Sequence, residues 1–233
     1  MTGTTLTLGA AGDALTVSSA SLQTNIYKDA GTNTLFQSDG AGTLSNVNAG
    51  LLGAGPVLIT TQTVIAPAVT SVDFTSGITS TYKKYWFVID GMTTSGNSGS
   101  LYFNASTDAG STWTVNMYST FGRAYQYESN GGDGMGYLTG GDVAGGYPAA
   151  LGWELGIQAD DACSGILELY DPASTSFVKQ FISRTSGVEY NVGLTEGFVS
   201  GYIDTTSAIT GIQLKTNSGM TVTGGTFKMY GIV

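Results

Sequence analysis

The stretch K-K-Y-W-F-V-I-D, Lys83 to Asp90, decides the fold. It is aromatic and β-branched, too short for a helix, and stopped by Gly91. A run of that kind between turn residues reads as a strand. The same signature recurs on both sides: 69–74 (V-T-S-V-D-F), 99–106 (G-S-L-Y-F-N-A-S), 112–119 (T-W-T-V-N-M-Y-S), 166–170 (I-L-E-L-Y), 177–183, 197–203, 208–215 and 226–232. Apolar residues repeat with a period of two, and Gly, Asn, Asp and Ser clusters cut the chain between the runs. These runs predict an all-β fold. Its uneven connections suit a jelly-roll-like antiparallel sandwich of two sheets, each burying one face.

Composition narrows the chemistry. The 233 residues contain 35 Gly and 13 Tyr, one Cys and no His. Without imidazole there is no Ser-His-Asp or Cys-His nucleophile, no His-ligated metal and no histidine acid/base step. The lone Cys163 excludes thiolate cages and internal disulfides. Eight Lys and Arg against 17 Asp and Glu give a net charge of −9, which repels phosphate backbones, so no nucleic acid is expected as a partner. No stretch is apolar for long enough to cross a membrane as a helix, and M-T-G-T-T-L-T-L-G lacks the charged and apolar regions of a secretion signal. Assembly in a cytoplasm, without membrane insertion, is the expectation.

Residues 1–68 differ from 69–233 and are read as an attachment region and connector preceding the sandwich. The first 50 residues are small and Gly-rich, with an internal echo: T-L-T-L-G-A-A-G-D-A-L at 5–15 and T-L-F-Q-S-D-G-A-G-T-L at 34–44. Each reads as strand, turn and strand, making a Gly-rich arm of β-hairpins. Isolated hairpins are marginal in water, so they need a surface to lie on, their own sandwich or neighbouring copies. Residues 50–68 serve as connector and first sandwich strand, punctuated by Pro56 and Pro67. From Phe121 to Tyr147 the density of Gly and Tyr predicts a long functional loop. Its tyrosines Tyr125, Tyr127, Tyr137 and Tyr147, with Trp153 beyond, form the expected contact surface, rigid aromatics set among adaptable Gly.

Several motifs have a chemical and a structural reading. Ser106 to Trp113, S-T-D-A-G-S-T-W, matches the S-x-D-x-G-x-T-W Asp box of sialidases and other β-propellers. Asp108 can accept from the turn backbone alongside Ser106 and Thr112, Gly110 can take a positive φ, and Trp113 can pack beneath, so the motif reads as a structural hairpin turn. A sialidase would repeat the box and bring an arginine cluster; this chain has one box and only Arg123 and Arg184. G-G-D-G-M-G at 131–136 lacks the Lys and the strand-to-helix setting of a phosphate loop. Asp133, Asp142, Asp160 and Asp161 are hard oxygen donors, but no calcium-loop spacing joins them, and Asp160 and Asp161 read as solvated. Neither a metal nor another cofactor is expected. Glu154 beside Trp153 suits a glycosidase acid only if a second carboxylate faces it. Cys163 reads as a small buried hydrophobe, and the N-A-S sequon at 104–106 is discounted.

Two segments together carry a resemblance. D-F-T-S-G-I-T-S-T-Y-K-K-Y-W-F-V-I-D-G-M at 73–92 with L-Y-F-N-A-S-T-D-A-G-S-T-W, and the closing I-D-T-T-S-A-I-T-G-I-Q-L-K to Y-G-I-V, resemble the sandwich domain of virion proteins of tailed bacteriophages, especially marine and cyanobacterial ones. K-D-A-G-T-N-T-L-F-Q-S-D-G-A-G-T-L at 28–44 is similar to the repeated hairpin that precedes that domain in fibre-like chains. The resemblance implies a non-enzymatic protein exposed on the particle, a homo-oligomer and most simply a trimer, and brings no catalytic residues. Its first implication is a capsid decoration or cement protein on the major capsid protein. The alternative is a tail fibre or receptor-binding protein meeting a host surface glycan or protein. A depolymerase using Glu154 is the weakest reading.

Overall fold

The computed structural model describes residues 26–28, 34–38, 44–45, 47, 55–129 and 131–232. The chain divides into two compact units, Met1–Ala54 and Gly55–Val233. In the first, strand β2 (Thr34–Ser38) pairs antiparallel with β1 (Ile26–Lys28) on one edge and β3 (Leu44–Ser45) on the other. The echo at 5–15 lies outside the described residues. The division falls after residue 54 rather than 68 because β4 (Val57–Val64) is hydrogen-bonded along the last strand, β16 (Val222–Ile232), and so belongs to the second unit.

Between them run β5 (Ser71–Phe74), β6 (Lys84–Thr94), β7 (Gly99–Ser106), β8 (Met117–Tyr127), β9 (Asp133–Tyr137), β10 (Val143–Gly146), β11 (Ala149–Leu155), β12 (Cys163–Tyr170), β13 (Lys179–Glu189), β14 (Gly193–Ile203) and β15 (Gly211–Lys215). Among the described residues all strand pairings are antiparallel, and the only helical turn is a short 3-10 turn at Thr139–Gly141. The main path reads β4-β16-β6-β12-β13-β11-β7-β15-β5, and β14, β8, β9 and β10 extend from β13. Its two ends nearly meet: Gln62 Nε2 on β4 donates to the Asp73 carbonyl on β5 at 2.8 Å, and Val69 bridges Val222. The result is a nearly closed antiparallel sheet, with β9 and β10 each paired on one side only, to β8.

Alternation places the core. On β6, Tyr85, Phe87 and Ile89 point inward and are at most 1% exposed, while Lys84, Trp86 and Val88 face outward. Phe103 of β7 meets Phe181 of β13 edge-to-face at 4.8 Å, and Phe74 meets Phe87 at 5.3 Å. Burying each such ring contributes roughly 1.5–3 kcal/mol. Across β7, β15 and β5 a polar ladder crosses the sheet: Asn104 donates to Gln213 at 2.9 Å, and Gln213 donates to Asp73 at 3.1 Å. Asn104, the discounted sequon residue, is thus buried and engaged.

Two expectations need correction. The strand expected at 112–119 begins only at Met117, because 112–116 wrap the Asp-box turn. The expected long loop at 121–147 is instead the second half of β8, the paired strand β9, the 3-10 turn and β10. Glycine there makes room for rings rather than supplying looseness. A Cβ on Gly134 would come within 2.8 Å of the Tyr125 hydroxyl, and one on Gly141 within 2.7 Å of the Phe121 ring. Because Gly contributes no side chain to the alternation, the period-two signal vanished where the strands continue.

Candidate binding surface

The Asp-box turn is built as a closed hydrogen-bond set. Ser106 Oγ donates to Asp108 at 2.6 Å and accepts the Gly110 N–H at 2.9 Å. Asp108 also accepts from the Thr112 N–H at 2.9 Å and the Thr112 hydroxyl at 2.8 Å. These bonds, Ser106 foremost, hold the Asp108 carboxyl below its ordinary pKa. Gly110 has φ 87°, and its α-carbon lies against Trp113 and Thr75, where a Cβ would clash at 2.6 Å. Each motif residue is engaged in the turn itself.

The expected contact tyrosines do not share one surface. Cross-strand partners face the same side, so Tyr137, opposite Gly122, lies on one face of the β8–β9 ribbon. Tyr125 and Tyr127 lie on the other, three and five residues further along β8 than Gly122. Tyr125 and Tyr127 pack edge-to-face at 5.8 Å, and the Arg123 guanidinium stacks on Tyr125 at 4.8 Å. Arg123 in turn holds the buried Glu189 through Nη1 at 2.6 and 2.8 Å. Trp153 packs on Phe121 at 5.9 Å beneath Gly140, a structural position at the edge of the core. Tyr147 is exposed at the corner between β10 and β11.

The acidic candidates are equally dispersed. Asp161 is buried, not solvated as expected, and accepts the Gln158 N–H at 2.6 Å; Asp160 and Asp133 are exposed. Among the described residues no group of three or more His, Cys, Asp or Glu side chains converges to hold a metal ion. Glu154 sits in the left-handed region at φ 41°, where a bulge interrupts the β11–β7 pairing, and its carbonyl accepts the Tyr190 N–H at 2.7 Å. Cys163 is buried on β12.

What the register does assemble is an aromatic outer face on the sheet that runs β16-β6-β12-β13-β14-β8. Lys84 stacks between Trp86 and Tyr170, at 5.2 and 5.1 Å from their centroids, and is bonded to Glu168. Burial alone would raise the Glu168 pKa; the hydrogen bond and charge of Lys84 outweigh it and hold the carboxyl below its usual range. A shallow apolar cleft of about 370 Å³ lies beside this pair, lined by Ile166, Ile182, Arg184, Phe198 and Ser200. Arg184 covers Phe198 at 5.5 Å while bonded to Glu196.

A second cleft of about 430 Å³ shares Ser200 and is more polar. Its floor is the stacked pair Tyr118 of β8 and Tyr202 of β14, centroids 5.1 Å apart and planes 20° from parallel. Tyr137 and Asp142 form one wall. Asp142 is fixed by the Phe121 N–H at 2.9 Å and by the Tyr137 hydroxyl, whose pKa that bond raises. Of this group only Tyr137 was expected as a contact residue and only Asp142 as a possible ligand. Tyr118, Thr120, Ser200 and Tyr202 alternate along their strands, a signal visible in the sequence, but their meeting depends on the β8–β14 register.

Comparison with known proteins yields no match: no family model, no curated protein and no solved structure is significantly similar to this chain.

Proposed function

We propose that the chain is a non-enzymatic structural protein of a tailed-phage particle, a decoration or cement protein seated on the major capsid protein and exposed outside the head. The observation that carries this reading is the closure of Gly55–Val233 on itself. Its first strand, β4, pairs along its last, β16, and Gln62 ties β4 onward to β5. A unit closed in this way forms a self-sufficient module and leaves residues 1–54 for attachment. The jelly-roll-like sandwich and the Gly-rich hairpin arm belong to the same proposal, supported by β11 packing across β14 and β8 and by the β2–β3 pairing.

Material properties agree. Slow unfolding suits a particle that must persist outside a cell, and antiparallel pairing between distant segments gives a large folding barrier. A net charge of −9 keeps the exterior from adhering to packaged genome. Three copies around a symmetry axis would seat the attachment segments together, as a trimer requires. The test uses heads lacking this protein. Added full-length chain is expected to co-sediment with the heads and raise their resistance to heat release of DNA, while 55–233 alone does neither. Co-sedimentation with tails only, or with no part of the particle, contradicts the reading.

A further inference from the structure

We infer that the cleft between β8, β14 and the Asp142 segment is a binding site for neutral oligosaccharides. The argument starts from what a pyranose presents: an apolar C–H face and a rim of hydroxyls that both donate and accept. The cleft offers the complement of each. Tyr118 is 39% exposed and Tyr137 60%; Tyr118 and Tyr202 stack face against face, so the pair borders the cleft with its outer ring surface and ring edges. A tyrosine platform supplies contact area at little entropic cost.

The polar groups converge on the same space. Each Asp142 carboxylate oxygen accepts one intramolecular bond, from the Phe121 N–H and the Tyr137 hydroxyl, and each retains a lone pair. The carboxylate is therefore held in place before a ligand arrives. A hydroxyl bonding to it makes a charge-assisted hydrogen bond, stronger than one between neutral groups. Thr120 Oγ1 and Ser200 Oγ lie 3.1 Å apart on the floor, a donor–acceptor pair that can exchange partners with a sugar hydroxyl. Gly145, at φ 70°, keeps the space beside the Tyr118 hydroxyl open, where a Cβ would lie 3.1 Å away. A few fixed polar groups around an aromatic surface are the usual make-up of a small-ligand site.

Charge selects among ligands. No Lys or Arg lines this cleft, and Asp142 repels anions, so uronic acids, sialylated chains and phosphates are disfavoured. The inference is independent of attachment to a capsid and is tested on the isolated full-length chain. Isothermal titration with cellohexaose, maltohexaose and mannohexaose, and with hexagalacturonate as the acidic control, is the measurement. At least one neutral hexasaccharide is expected to bind, and hexagalacturonate is not. Asp142→Asn and Tyr118→Ala are each expected to weaken binding about tenfold or more. Ser200→Arg, at an exposed position, fills the cleft and should abolish it, with unfolding midpoints of all three variants confirming that they remain folded. Tyr125→Ala, on the opposite face, should change nothing. The proposal is overturned if no neutral probe binds at roughly 10 mM, if only the acidic probe binds, or if affinity survives Tyr118→Ala and Ser200→Arg.

Discussion

At Asp108 one carboxylate closes a turn through Ser106 and Thr112, and the same bonds make that turn sensitive to acid. A carboxyl whose folded-state pKa is lowered stabilises the fold fully above its ordinary range and loses that contribution as pH falls through the lowered value. The urea midpoint of Asp108→Ala should therefore lie below that of the native chain at neutral pH, the gap narrowing as pH falls below the ordinary aspartate range and through the lowered one. A gap that persists in strong acid would show that the carboxylate's charge is irrelevant to the turn. Burial pushes the Cys163 thiol up to about 12, so almost no thiolate exists near neutrality. A disulfide reagent at about pH 8 should leave Cys163 unmodified until denaturant is added; rapid labelling of the folded chain would contradict its placement. Both residues were legible as types: S-x-D-x-G-x-T-W names its own turn, and a Cys between Ala162 and Ser164 reads as core. The burial of Asp161 was not, because the Gln158 N–H that it accepts belongs to a turn whose geometry no spacing rule announces.

Elements were legible where side chains alternate and illegible where glycine interrupts them. Nearly every run from Ser71 to Ile232 that alternates is a strand, and Tyr85, Phe87 and Ile89 fill the core as their pattern requires. β9 escaped notice because Gly134 and Gly136 occupy alternate positions, and β11 because A-A-L-G-W-E-L is bulged and small. The binding cleft was hidden for a different reason. Tyr118 and Tyr202 are 84 residues apart and meet only through the register that sets Tyr202 opposite Tyr118. The polar ladder of Asn104, Gln213 and Asp73 is equally a product of register, joining β7, β15 and β5. Gln213→Ala removes the partner of three buried or half-buried groups, Asn104, Asp73 and Ser71, and should cost about 1–3 kcal/mol in urea unfolding. An unchanged midpoint would mean that solvent satisfies the ladder. Gly201→Ala puts a Cβ 2.2 Å from the Tyr118 carbonyl and should cost a similar amount, about 1–3 kcal/mol, by forcing β14 and β8 apart.

At the scale of the molecule, the nearly closed sheet explains why Gly55–Val233 stands as a unit. Residues 55–233 expressed alone should show a β-type circular dichroism spectrum and one cooperative transition; removing 55–64 as well should lower the midpoint, since β16 then loses its partner. Loss of folding on removing 1–54 would refute the division. On the proposed reading the protein works by contact and persistence and is held through its separate N-terminal unit, residues 1–54. The most direct test is a cryo-EM reconstruction of purified particles that incorporate the protein. The account predicts repeated density on the outer head shell, with residues 1–54 against the capsid lattice and the 55–233 module outermost. Density confined to the tail, or particles that lack the chain altogether, would contradict it.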